Sequence, residues 1–166
     1  MKANLIKKIL IAGLAIFGIL GAEAYAQTGP TATVSVSANV KEACRFQVTG
    51  GYSMNINNDG TDIDPALGTP AADSVNLTYR CTNTTVPEFQ IGTSGYATSH
   101  TGVPVTLNGP TDTMAATFDL TSAGAGSGMG VDKTATLTGN ISATVIDAAT
   151  PELYGATVTV DIRVQP

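Results

Sequence analysis

The feature that most constrains this chain is a strict two-residue alternation of apolar and polar side chains. Between Thr31 and Val40, the residues Ala32, Val34, Val36, Ala38 and Val40 alternate with Thr31, Thr33, Ser35, Ser37 and Asn39. Successive side chains of an extended strand point to opposite faces, so this pattern specifies a strand with one apolar and one hydroxyl-rich face. Val75, Leu77, Tyr79 and Cys81 repeat it with Asn76, Thr78 and Arg80 opposite, and Val103, Val105 and Leu107 do so again. In a longer stretch Ala135, Leu137, Ile141, Ala143 and Val145 share a face, and Gly139 reads there as a bulge. The last run is the strongest: Tyr154, Ala156, Val158, Val160, Ile162 and Val164 alternate with Thr157, Thr159, Asp161 and Arg163.

After the first 26 residues no segment carries a 3.6-residue apolar period over three turns. Turn-forming stretches separate the alternating runs: Asn57-Asn58-Asp59-Gly60, Asn108-Gly109-Pro110, and Ser122 to Gly130. The Gly/Ala/Ser run at 122–130 reads as a mobile loop between strands. The chain lacks Trp and is rich in Thr, Val, Ala and Gly, a composition that favours strand over helix. Together these features predict an all-β antiparallel sandwich or barrel in a single domain.

Residues 1–26 read as a secretory signal peptide. Lys2, Lys7 and Lys8 precede an apolar run from Ile9 to Leu20, and Ala24-Tyr25-Ala26 places small residues where a signal peptidase reads them. The run is well short of the roughly 20 residues that span hydrocarbon. Cleavage between Ala26 and Gln27 is therefore expected, with export from the cytoplasm. Without Lys2, Lys7, Lys8 and Glu23, five basic and twelve acidic residues remain, a net charge of −7. That balance argues against nucleic acid as a partner, since binding it needs a basic patch. The two cysteines, Cys44 and Cys81, sit in an exported chain, so one intramolecular disulfide is expected. Closing a loop of about 38 residues, it is worth roughly 4 kcal/mol in the chain-entropy treatment.

The sequence shows no constellation of nucleophile, base and orienting group, and no enzymatic activity or cofactor is expected. The single histidine, His100, reads as a solvated loop residue. Asp59, Asp62 and Asp64 cluster, and Asn55 to Asp64 resembles the start of a calcium loop. Its twelfth position, however, is Ala66, where a bidentate Glu belongs, so a solvated turn is the better reading. Tripeptides starting at Asn76, Asn83 and Asn140 match the short glycosylation sequon. No metal site is expected.

The strand Thr31-Ala32-Thr33-Val34-x-Val36-x-Ala38 ahead of Cys44, then a strand ending in Cys81, resembles a spore coat U-type domain. So does the close of the chain, Leu137-Thr138-Gly139-Asn140-Ile141 followed by Leu153-Tyr154-Gly155-Ala156-Thr157-Val158-Thr159-Val160-Asp161-Ile162. Such domains form the subunits of archaic chaperone–usher pili. The resemblance implies an incomplete immunoglobulin-like antiparallel sandwich, completed by a donor strand from a neighbouring subunit. It implies a donor segment within residues 27–40, with Ala32, Val34, Val36, Ala38 and Val40 as its inserting side chains, and a sandwich domain over 41–166. Tyr154, Ala156, Val158, Val160, Ile162 and Val164 would form a wall of the acceptor groove. Burying three valines and two alanines would contribute on the order of 5–10 kcal/mol. The implied partners are copies of the chain in a head-to-tail filament, a periplasmic chaperone and an outer-membrane usher, and the implied role is surface attachment or biofilm formation. Two alternatives stay open: the 31–40 segment as the first strand of its own sandwich in a coat or matrix protein, and a secreted carbohydrate-binding module.

Overall fold

The computed structural model describes residues 35–48 and 50–166. The signal segment, the Ala26–Gln27 bond and the donor positions Ala32 and Val34 lie outside the described residues. Among the described residues seven strands form: β1 (Cys44–Phe46), β2 (Ala71–Cys81), β3 (Pro87–Ile91), β4 (His100–Asn108), β5 (Thr113–Ser122), β6 (Lys133–Ile141) and β7 (Val160–Val164). A short helix, α1 (Ala143–Ala148), follows β6, and a 3-10 turn covers Pro65–Leu67. The protein is all-β, as its alternation predicts. Every strand pair is antiparallel.

The strands make a five-stranded sheet in the order β1-β2-β6-β5-β4 and a two-stranded sheet of β3 and β7. The alternating runs that pair into strands put their apolar side inward. Leu77, Tyr79 and Cys81 of β2, Ala135, Leu137 and Ile141 of β6, and Met114, Ala116, Phe118 and Leu120 of β5 are buried against Phe89 and Ile91 of β3. The Tyr79 and Phe89 rings meet edge-on, with centroids 5.4 Å apart, which joins the two sheets in one core. Cys44 and Cys81 face each other in register across β1 and β2 and are joined by a disulfide. The outermost strand, β4, carries Pro104, which leaves one amide fewer for an unwanted neighbour to pair with.

Several sequence expectations need correction. Gly139 is no bulge, because β6 runs in unbroken register past it on both sides. Ala143 and Val145 leave the sheet and lie on α1. The final strand is shorter than its pattern: only Val160–Val164 is ladder-paired, and before it Gly155 makes an isolated bridge to Asn108. The Ser122–Gly130 stretch joins β5 to β6 as a mostly exposed loop, anchored at buried Gly126. Ser122 belongs to β5, Gly126 exchanges main-chain hydrogen bonds with Thr84 and Thr85, and a Cβ on Gly126 would collide with Cys81. His100 opens β4, and its Nε2–H donates to the Phe89 carbonyl at 2.8 Å, so it ties β4 to β3.

In the 57–64 loop the side-chain oxygens of Asn57, Asn58, Asp59 and Asp64 accept from nearby main-chain amides. Asp59 Oδ1 accepts from the Thr61 and Asp62 amides and from the Thr61 hydroxyl, while Asn58 Oδ1 accepts from the Asp64 amide. These bonds, the Asp62 amide first, hold the Asp59 carboxyl below its ordinary range.

Candidate functional site: an open apolar cleft

The registers give the fold two ends. Cys44–Cys81 and Tyr79–Lys133 lie at one, here the lower, and Ala71–Ile141 and Leu107–Met114 at the other, the upper. From Phe46 the chain climbs to the upper end, where Asn57 bridges to Ala72. Beyond α1 it returns through residues 150–159 and enters β7, which runs down to Val164 opposite Pro87. At the lower end β1 lies beside β7. Above that contact the two segments are separated by a cleft of about 1170 Å³.

The floor of this cleft is the buried face of the large sheet. Leu77 of β2, Leu137 and Ile141 of β6, and Met114 and Phe118 of β5 line it, and Ile146 of α1 lies toward its upper end. One wall is formed by Tyr52 to Ile56, the other by Pro151 to Asp161. Both walls alternate as strands do, yet Tyr52 to Ile56 and Ala156 to Thr159 belong to no sheet. Among the described residues, Tyr52, Ser53 and Met54 make no main-chain hydrogen bond to another main chain, and neither do Ala156, Thr157 and Val158. Main-chain donors and acceptors left unpaired beside an apolar floor are the groups a further strand would satisfy. The walls run in opposite directions, so a strand laid between them is parallel to one and antiparallel to the other.

Each wall is held at its upper end. The Glu152 carboxylate accepts from the Thr111 hydroxyl (2.7 Å), the Asp112 amide (2.8 Å) and the Thr111 amide (3.1 Å) of the β4–β5 turn. The Asn108–Gly155 bridge adds two main-chain bonds, and the Tyr154 hydroxyl donates to the Thr150 carbonyl at 2.8 Å. Burial, then the charges of Glu152 and Asp112, push the Tyr154 phenol above its ordinary value. On the other wall, the Asn55 amide donates to Asp73 Oδ2 at 2.7 Å.

Of the residues expected on the groove wall, Tyr154, Ala156, Val158 and Val160 line the cleft. Ile162 and Val164 do not; they sit on β7 opposite Phe89 and Pro87. The second wall, Tyr52, Met54 and Ile56, was missed by sequence reading, although its alternation was available as a signal. Val36, Ala38 and Val40, the described part of the expected donor segment, are exposed and carry no strand. No helix among the described residues is long and apolar enough to cross a membrane. The fold and cleft thus define an all-β domain with an unfilled apolar seam along one side. No protein-family model, curated protein or solved structure matches this chain.

Proposed function

We propose that this chain is the structural subunit of an extracellular pilus, an immunoglobulin-like sandwich that lacks one strand and receives it from a neighbouring copy. The observation that carries this reading is the cleft: an apolar floor flanked by two extended walls whose middle stretches, Tyr52–Met54 and Ala156–Val158, have unpaired main chain. An empty seam of this kind is costly in water and prone to aggregation. The donor is the alternating Thr31–Val40 segment, whose apolar face fills the floor while its main chain pairs with the walls, a case of strand addition. Cleavage after Ala26 frees that segment. In the periplasm a chaperone covers the seam, and an usher carries the subunit to the cell surface.

The geometry favours a second copy over the chain's own segment. Lys41–Ala43 lead into Cys44 at the lower end, where β1 already lies beside β7. To enter its own cleft the preceding segment would have to reverse within those three residues, which include no Gly, Pro or Asn to make the turn. A neighbour's segment meets no such obstacle. The joint between copies is then head-to-tail and propagates into a filament.

The test is to delete Gln27–Val40 and co-express the remainder, behind the signal peptide, with a periplasmic chaperone of this pathway. Chaperone binding without polymer formation, with a synthetic peptide of residues 31–40 replacing the chaperone, is the expected result. A stable, monomeric truncated protein made without any chaperone and indifferent to the peptide overturns the reading.

A further inference from the structure

The fold sorts charge along the strand axis. At the lower end lie Lys41, Arg45, Arg80 and Lys133, brought together from distant parts of the sequence by the β1–β2 and β2–β6 registers. Arg45 and Arg80 stand directly opposite each other, an arrangement of like charges that disfavours the pair. Arg80 is relieved by Asp132, but among the described residues Lys41, Arg45 and Lys133 form no salt bridge. The acidic residues near this end are Glu42 and two that are already paired, Asp132 with Arg80 and, low on β3, Glu88 with Arg163 of β7.

The upper end is the reverse. Asp59, Asp62 and Asp64 lie on the 57–64 loop, Asp112 on the β4–β5 turn, Asp147 on α1 and Glu152 on the wall beyond it. No described basic residue lies there; the remaining one, Arg163, is on β7, bound to Glu88 of β3. Exposed Leu67 and Leu153 sit among these acids, and exposed Val131 sits beside Lys133 at the opposite end.

We infer that the acidic upper end of one copy docks on the basic lower end of the next. The inference rests on the proposed end-to-end assembly of copies, and adds to it a second contact independent of the donor strand. The surplus charge at each end has no partner within its own domain and finds one in a copy of the same orientation. A heterologous contact of this kind repeats without closing. It also sets the direction of the donor. Val40 leads into Lys41 and β1 at the basic end, so the donor leaves its neighbour's cleft at the acidic end and runs antiparallel to β7. Complementary ends act mainly on encounter, where steering changes association rates by about 10–1000-fold and falls with salt.

The experiment follows association of the chain from Gln27 onward by light scattering, alongside binding of a labelled 31–40 peptide. Association slows at least about tenfold between roughly 20 mM and 500 mM NaCl, while peptide binding changes little. R45E with K133E slows association at low salt to a similar degree, and so does D62K with D147K. Mixing the two double variants restores it. Association that ignores salt and all four substitutions overturns the docking of ends and leaves the donor reading standing if the peptide still binds. Failure of the mixture to recover overturns it as well. Absence of both association and peptide binding removes the donor reading and this inference together.

Discussion

Met54 lies directly over Gly139: a Cβ on that glycine would sit 2.9 Å from the Met54 sulfur and 2.8 Å from Ile56 Cδ1. The glycine is therefore a notch in the cleft floor into which one wall is keyed. Gly139→Val is expected to lift Met54 and Ile56 toward the seam and to cost about 1–3 kcal/mol by overpacking. Gly139→Ala should cost less, because the atoms it meets are the ends of flexible side chains. Denaturant midpoints report the stability loss. Binding of the 31–40 peptide should weaken more steeply than stability falls, and unchanged peptide affinity in the folded Val variant would show that the notch does not set the cleft.

The disulfide fixes the lower end, where β1 meets β2 and lies beside β7. Cys81 is fully buried beneath Gly126, so its replacement also disturbs packing. Replacing both cysteines with alanine should lower stability by roughly 4 kcal/mol, the chain-entropy figure for a loop of about this length. Reduction of the unaltered protein removes the crosslink but keeps the Cys81 packing, so its loss should be somewhat smaller, measured as a shift in urea midpoint. A change below about 1 kcal/mol would mean that the sheet holds β1 without the crosslink.

Much of the fold was legible because two-residue alternation is enough to specify which face of a strand is buried. β2, β4 and most of β6 are visible in this way. β5 carries the same signal in Met114, Ala116, Phe118 and Leu120, but its neighbours Ala115 and Thr117 blur the contrast. β3 is short, opens on a proline and alternates with Glu88 and Gln90, so little marks it. Tyr154 to Val158 is the instructive case. It alternates as a strand but makes no ladder, because pattern specifies a face and a ladder needs a neighbour that this domain does not supply. The charged ends were not legible at all. Arg45 and Arg80 are 35 positions apart, and only register brings them face to face.

The carboxylate of Glu152 gathers three donors from the β4–β5 turn, and Gly109 leaves it the room, since a Cβ there would collide with it. Glu152→Ala strands those donors on a partly solvated turn, at a cost of about 1–2 kcal/mol. The local effect should be larger than the global one. Exchange of the Gly155 and Asn108 amides, which bond each other's carbonyls where the wall is held, should accelerate while that of β2 and β6 follows only the change in overall stability. Glu152→Gln keeps the shape and one acceptor oxygen, so it should recover part of the protection. Equal acceleration across the core and the wall would show that Glu152 supports the fold as a whole and does not hold this wall in particular.

Tyr154 gives the cleft a titratable reporter. Its phenol is held above the ordinary value of 10.0 by burial first, then by Glu152 and Asp112. A raised folded value means the native state holds this proton more tightly than the unfolded chain does. The stability it contributes is fully present below pH 10 and is lost as pH climbs through the folded value. Tyr154→Phe should therefore flatten the alkaline loss of stability above pH 10 relative to the unaltered protein. The difference in phenolate absorbance between the two proteins gives the titration of Tyr154 alone. Filling the cleft with the 31–40 peptide excludes water from the same ring, so the titration should move further upward when peptide is bound. A phenol that titrates identically with and without bound peptide would place the occupant away from the Tyr154 wall.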